Sequence, residues 1–442
     1  MNSVVYFSAL LAVMASSLTM TSGFAIANEL SGLLSSQTAY AREQDELQQQ
    51  EWLVDLDYRR NLPGGGLTAI LRLRWDSVDT LNPQSAQRPA SYSNIGGPLV
   101  TGAEGIVDLR ELYWEHVGNS VYWRIGKQQI VWGEADGLTL LDVINPQSFR
   151  EFIVDDADDS RISLWMLNAE INLSNSAILQ ALWIVDSSSH ELAPASSAFA
   201  FTSPSQVPAP PDGSRVIVNQ AQAPATKLAN SDIGLRFSDF VSDGMGSWDY
   251  SLNYLYHYVD TPVARLRQQA DTLVVDQDYE RSHLLGGSLS TARSDWTLRA
   301  EFAYESNRFQ RTTAALPGVA QADQWGSLIG LDWQGWSDQF ISLQWLQTTV
   351  SGEASTLINA AQEDTLSFLW ESTFLNATVS AQWLHIHSLD YHDGVAQLLL
   401  RYNYSSALDL YLGADIFYGD NAQLYGQFDQ ADRLAIGLRL GF

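Results

Sequence analysis

Leu434-Ala435-Ile436-Gly437-Leu438-Arg439-Leu440-Gly441-Phe442 alternates without a break. Leu434, Ile436, Leu438, Leu440 and Phe442 fall on one face; Ala435, Gly437, Arg439 and Gly441 fall on the other. A period of two is the repeat of a β-strand. The segment therefore places five apolar side chains together and ends on an aromatic carboxylate. Any half-buried sheet contains one such strand, so its weight depends on whether the rest of the chain repeats it.

It does. Trp296, Leu298, Ala300, Phe302 and Tyr304 alternate with Thr297, Arg299, Glu301, Ala303 and Glu305. Leu375, Ala377, Val379, Ala381 and Trp383 alternate with Asn376, Thr378, Ser380 and Gln382. Trp248, Tyr250, Leu252, Tyr254, Tyr256 and Tyr258 alternate with Asp249, Ser251, Asn253 and His257. Strands of a soluble sandwich average about 5–6 residues, shorter than these runs. Trp or Tyr often closes a segment, as in the aromatic girdles of a membrane barrel. The pattern predicts an all-β fold, a transmembrane antiparallel β-barrel.

Residues 1–27 carry no charged side chain, contain an apolar run over 4–13, and close on Ala25-Ile26-Ala27. They read as a secretory signal cleaved before Asn28, although no Lys or Arg marks its start. There is no cysteine, hence no disulfide and no lipid attachment. An exported chain of this kind suits the outer membrane of a Gram-negative bacterium. After the signal no stretch approaches the ~18 apolar residues of a spanning helix. Aromatic residues are abundant (Trp 15, Tyr 18, Phe 16), as a barrel with lipid-facing and lumen-facing positions requires. The net charge of −27 argues against nucleic acid as a partner. The expected partners are membrane lipid and lipopolysaccharide.

Connections fall into two classes. Short ones lie near Pro63-Gly64-Gly65, Gly118-Asn119, Ser174-Asn175, Asp243-Gly244, Arg293-Ser294, Gly335-Trp336, Thr373-Phe374 and Ser405-Ser406. Long ones run roughly 76–104, 130–161, 187–229, 259–280, 307–323, 351–363, 388–394 and 419–432. Strict alternation of the two is the pattern of periplasmic turns and external loops. Counting from Trp52 yields seventeen strands, whereas two periplasmic termini demand an even number. Parity assigns an additional strand to 30–40, with 41–51 as the first external loop and about 18 strands in all. A periplasmic helix is the competing assignment for 42–50, which is rich in Glu and Gln. The segment 187–229, with Pro208-Ala209-Pro210-Pro211, reads as a long, exposed and mobile loop, and 28–442 as one domain.

The C-terminal Phe442 resembles the signal that the barrel-assembly machinery reads, which implies that machinery and periplasmic chaperones as partners. A second resemblance rests on Gly126-Lys127-Gln128-Gln129-Ile130-Val131-Trp132-Gly133-Glu134-Ala135-Asp136-Gly137-Leu138. It continues through Leu141-Asp142-Val143-Ile144-Asn145-Pro146 and Phe149-Arg150-Glu151-Phe152, and closes on Asp155-Asp156-Ala157-Asp158-Asp159-Ser160-Arg161-Ile162. This stretch resembles the hallmark of a bacterial outer-membrane family catalogued only as a domain of unknown function, distantly similar to porins and alginate-export barrels. Members often accompany exporter and lipid-carrier genes. The resemblance therefore implies an exporter system as a partner and apolar or amphiphilic cargo.

Physically, this loop is too apolar for a free external tip. Asn145 can cap a short helix from Pro146 to about Ile153. Val143, Ile144, Phe149, Phe152 and Ile153 would then seek a packing surface. Folding inward onto the barrel wall supplies one and makes 130–161 a constriction or plug; an external loop packed on its neighbours is the alternative. Its polar set comprises Trp132, Glu134, Asp136, Asp142, Asn145, Arg150, Glu151, Asp155, Asp156, Asp158, Asp159 and Arg161. The four aspartates 155, 156, 158 and 159 can be solvated, paired with arginines, or bound to a cation. No glycine supplies the sharp turn of a dedicated calcium loop, and no metal or other cofactor is expected.

Positive charge is almost all arginine, since Lys127 and Lys227 are the only lysines. Strand phase turns Arg72, Arg74, Arg124, Arg236, Arg299 and Arg401 inward, because charge on the lipid face costs ~2–4 kcal/mol at mid-membrane. They either face the acidic loop and set up a transverse field, or pair locally with Asp55, Asp57, Glu301 or Asp415. A barrel hydrolase is the least favoured function. It needs a histidine within reach of serine, or of aspartate and water. His385, His387 and His392 cluster near Asp390 and Asp393 at the rim, with no serine motif beside them. A structural or accessory barrel in an export system stands between these. A porin-like channel for a small or amphiphilic solute, and not an enzyme, is the function the residues favour.

Overall fold

The computed structural model describes residues 28–78, 81, 90–135, 137–207, 215–243, 246–314, 316–352 and 354–442. The expected signal, Asp136 and residues 208–211 lie outside them. The first strands are β1 (Asn28–Ala41), β2 (Glu46–Leu62), β3 (Gly65–Asp76), β4 (Gly105–Val117), β5 (Val121–Gln128) and β6 (Leu164–Asn172). Next come β7 (Ile178–Ile184), β8 (Asp232–Asp243), β9 (Gly246–Tyr258), β10 (Arg281–Arg293), β11 (Trp296–Arg311) and β12 (Val319–Trp333). The last are β13 (Gln339–Val350), β14 (Gln362–Phe374), β15 (Val379–Ser388), β16 (Gly394–Asn403), β17 (Leu408–Tyr418) and β18 (Arg433–Gly441).

Each strand pairs antiparallel with its sequence neighbours, and β1 pairs with β18 from Leu33↔Gly441 to Ala41↔Arg433. The sheet closes as an 18-stranded barrel, so no edge is left to seek a partner. The strand at 30–40 is present, as parity requires. The expected first external loop at 41–51 is not: β1 turns tightly into β2 at 42–45, and Tyr40 already pairs with Leu47. Glu46–Glu51 belong to a strand because neighbouring strands supply their backbone hydrogen bonds, whatever their helical preference. The turn placed near Thr373-Phe374 lies at 375–378, where Leu375, Asn376 and Ala377 all have positive φ.

Burial is inverted relative to a soluble protein. Leu252 and Ile436 are 62% and 63% exposed, while Ser251, Asn253 and Gln344 are buried. A barrel with lipid outside and polar groups inside has this distribution. The long connections are structured. Val263–Gln269 and Thr272–Asp278 form a hairpin that Arg215–Asn219 joins in parallel, and Gly426–Ala431 is a 3-10 helix. The 187–229 connection is therefore not wholly a free tip: its Phe199 is 2% exposed.

Candidate functional site

The connection from β5 to β6 turns into the barrel, and Asn145 pins its neck. Its Oδ1 accepts from the Ile130 amide at 2.8 Å, and its Nδ2 donates to the carbonyls of Gln128 (3.3 Å) and Ile162 (2.8 Å). Asn145 thus joins both ends of the loop and caps no helix. The expected helix over 146–153 is absent; Ser148–Phe149 instead pairs with Glu191–Leu192, and the short helix is Ala157–Ser160. Side-chain bonds from Asn145 to three separate backbone groups outcompete a local capping turn.

The first arm runs along one wall. Trp132 is buried, with Nε1 donating to Gln180 of β7 at 2.8 Å. Glu301 of β11 then takes three backbone amides: Glu134 at 2.5 Å, Ala135 at 3.0 Å and Leu141 at 3.2 Å. Gly133 makes this approach possible. Its φ is +95°, and a Cβ there would lie 2.7 Å from a Glu301 carboxylate oxygen. Leu138 donates its amide to Gln344 of β13 at 3.0 Å, and Glu134 lies 3.4 Å from Arg236 of β8. Leu141 and Ile144, with Val143 beside them, pack against Leu182, Leu255, Leu284 and Ala303 on the wall. Leu141 and Leu140 sit over Gly286 and Gly326, where a Cβ would meet each leucine at 2.4 Å.

The second arm reaches the opposite wall. Arg150 meets Glu51 of β2 at 2.7 Å, and Glu151 meets Arg433 of β18 at 2.7 Å; Arg433 also holds Asp415 of β17 at 2.8 Å. Asp159 contacts Arg72 (2.6 Å) and Arg110 (2.9 Å), and Asp156 contacts Arg439 at 2.6 Å. Arg161 bonds to Asp142 at 2.7 Å and to Asp158. Asp158 is 87% exposed, so its pair contributes little. The buried contacts of Glu151 hold the arm, because removing one partner there strands a desolvated charge. Phe152 packs with Phe428 at 4.6 Å and Phe201 at 5.7 Å between centroids, and Phe199 with Phe428 at 5.7 Å. Three long connections thus share one aromatic cluster. Phe149 meets His190 edge-on at 5.0 Å, and the His190 Nδ1 accepts from the Gln147 amide. Burial holds that imidazole down to about 4, so it is neutral and able to accept.

The loop carboxyls diverge in acidity. Burial opposes ionisation of Asp159, but the Arg72 and Arg110 guanidiniums outweigh it and hold the group down to about 2. Asp155 has no such close partner. Burial, incompletely offset by Arg74 and reinforced by Glu151, pushes it up to about 6. Arg150 and Arg433 overcome burial at Glu151 and hold its carboxyl below the ordinary range.

The six arginines read from strand phase separate into groups. Arg72 pairs with Asp55 and Asp159, and Arg74 lies 3.5 Å from Glu51. Arg124 meets Glu115, Arg236 meets Glu134 and Arg299 meets Asp332, away from the aspartate tetrad. Arg401 lines a cavity with Asp155, Asp156 and Arg439. Opposite charges therefore touch directly where a field across a gap was one expectation. Arg110, Arg433 and Arg439 were missing from that set. Alternation already turned Arg439 away from the leucines of β18. Arg110 continues the alternation of Val107-Asp108-Leu109 on the side of Asp108, which bonds to buried Lys127; the register shift between Ile70 and Leu71 then leaves Arg110 unmatched on β3.

At the rim, His385 Nε2 and His387 Nδ1 both bond to the Tyr418 hydroxyl, at 2.9 and 2.8 Å. A single hydroxyl proton serves two ring nitrogens, so one histidine donates to Tyr418 and the other accepts. Beside the loop lies a cavity of about 1060 Å³, lined by residues of β13 and β15–β18 as well as by 152–161.

A family model described as Protein of unknown function (DUF1302) matches residues 83–441. No curated protein matches the sequence. Among solved structures, Acinetobacter baumannii OccAB4 aligns with a TM-score of 0.53 at 10% identity, covering 94% of this chain and 97% of that one. The Pseudomonas aeruginosa outer membrane protein OpdK aligns at 0.52 and 10%, covering 94% and 98%. P. aeruginosa OccK5 (OpdH) aligns at 0.50 and 10%, covering 94% and 97%. At such identities the likeness concerns the fold alone, a closed antiparallel β-barrel.

Proposed function

This chain belongs to the DUF1302 family, and on that premise we propose that it is an outer-membrane, porin-like channel whose lumen is narrowed by the 130–161 loop. A small or amphiphilic solute passes beside that loop. One observation carries this function: the loop bonds to Gln180 and Glu301 on one wall and to Glu51 and Arg433 on the other, with a cavity of about 1060 Å³ alongside. A segment tied to opposite walls divides the lumen, and the space left beside it is the passage. The chemistry supports transport over catalysis, because the rim histidines are engaged by Tyr418. Export through a signal at 1–27 and insertion by the barrel-assembly machinery complete the proposal.

Planar-bilayer conductance of the refolded barrel tests it. Removing 146–159 should raise single-channel current. Replacing Asp155, Asp156, Asp158 and Asp159 together should shift selectivity toward anions, because Arg72, Arg110 and Arg439 lose their counter-charges. Unchanged current in a well-folded deletion barrel would show that the loop is not the constriction. The aromatic cluster of Phe152, Phe199 and Phe428 favours a second arrangement, an accessory barrel closed at rest within an export system. It predicts current only after that cluster is disrupted.

A further inference from the structure

The wall beside the crossing loop departs from the rule that a barrel lumen is polar. Leu346 of β13, Leu384 of β15 and Leu399 of β16 line the 1060 Å³ cavity together with Leu138 and Ile153 of the loop. The alternate positions on β16, Leu398 and Leu400, are 46% and 47% exposed and face the lipid. Leu399 is thus an inward leucine on a strand that already has its lipid face. Leu346 and Leu384 border the aromatic cluster, but Leu399 is not among the residues packed on it. A water-filled passage gains nothing from such a track, whereas an apolar molecule lying along it would leave water.

A second cavity of about 130 Å³ shares Gln37, Asp155, Leu399 and Tyr411 with the first, and adds Arg74, Arg401 and Arg439. The acids on it are largely engaged. Glu51 is held by Arg150 at 2.7 Å, Asp156 by Arg439 at 2.6 Å and Asp159 by Arg72 at 2.6 Å. Asp155 remains, with its carboxyl pushed up to about 6 by burial. Arg401 Nε is buried without a hydrogen-bond partner among the described residues. Its guanidinium makes no ion pair or side-chain hydrogen bond among the described residues, and a cationic group without a counter-charge favours an anionic ligand.

We propose that the joined cavities bind an amphiphile with an alkyl-length apolar body and one anionic head. The body lies along Leu346, Leu384 and Leu399, and the head meets Arg401. This rests on the channel assignment for its role in transport, although binding itself does not require conduction.

The test is calorimetric titration of the intact barrel in lipid nanodiscs, with empty nanodiscs as reference. The probes are decane-1-sulfonate, butane-1-sulfonate and decyltrimethylammonium, all of fixed charge. Decane-1-sulfonate should bind saturably and at least ~10-fold more tightly than either other probe, a difference of about 1.4 kcal/mol. Leu384→Gln combined with Leu399→Gln should erase the advantage over butane-1-sulfonate. Arg401→Gln should erase the advantage over decyltrimethylammonium, and Arg401→Lys should retain it; heat-modifiable mobility verifies that each variant is folded. Equal binding of the short sulfonate, equal binding of the cation, or no saturable binding each overturns the proposal. Saturable, head-selective binding by a barrel that passes no current would instead overturn the channel assignment and leave the site standing.

Discussion

Glu151 lies 2.7 Å from Arg433, 282 residues away along the chain, and this pair fastens the crossing loop to the strand that closes the barrel. Both side chains are almost wholly buried, so the contact is worth far more than a surface pair. Glu151→Ala leaves Arg433 with Asp415 as its carboxylate partner and Arg150 with Glu51. Breaking a buried pair typically costs about 3–5 kcal/mol. The loop should detach while the barrel persists, seen as faster tryptic cleavage at Arg150 and Arg161 and higher conductance at unchanged heat-modifiable mobility.

In the proposed channel, Asp155 should confer pH sensitivity. Its carboxyl in the docked loop is raised to about 6, so the docked state binds a proton that a released loop would lose. The stability this group contributes is complete below the ordinary aspartate value and is lost as pH rises through about 6. Asp159 works oppositely. Its value is lowered to about 2, so its contribution is complete above the ordinary range and lost only as pH falls through about 2. From pH 7 to 5 Asp155 takes up its proton, and conductance should fall as the loop docks more firmly. Asp155→Asn should flatten that pH profile; a profile unchanged by the substitution would remove Asp155 as its origin.

Gly133→Ala should loosen the first arm. The residue has φ of +95°, and its new methyl carbon would press on Glu301, which receives three loop amides. Strain of this kind costs of order 1–3 kcal/mol. Hydrogen exchange at the amides of Glu134, Ala135 and Leu141 should accelerate at least ~5-fold, whereas the β-strand amides should not change.

Phe442 should be needed for assembly. Its backbone exchanges two hydrogen bonds with Gly32 of β1, at 2.8 and 3.0 Å, and its ring lies over that glycine. Deleting Phe442 should lower the amount of inserted barrel without affecting export across the inner membrane, measured by fractionation and heat-modifiable mobility. Gly32→Val, which displaces the ring but keeps Phe442, separates its two roles. Normal insertion with slower folding would assign the ring contact to barrel closure and the residue itself to recognition.

The barrel was legible in the sequence because a period of two needs no tertiary information. Leu434 to Phe442 and Trp296 to Tyr304 declare their lipid faces residue by residue, and parity of the connections supplied the strand at Asn28–Ala41. The loop's need for a packing surface was also legible, since its apolar residues exceeded what a free tip can expose. The partners of its charges were not. Asp159 meets Arg110, and Glu151 meets Arg433, because eighteen strands close into a ring around the loop. Asn145 looked like a helix cap, and only the folded loop shows three backbone groups converging on its side chain. Alternation fixes the face of each strand residue, but register, bulges and closure decide which faces meet. Those depend on hydrogen bonds between segments far apart in the chain, and local pattern carries no record of them.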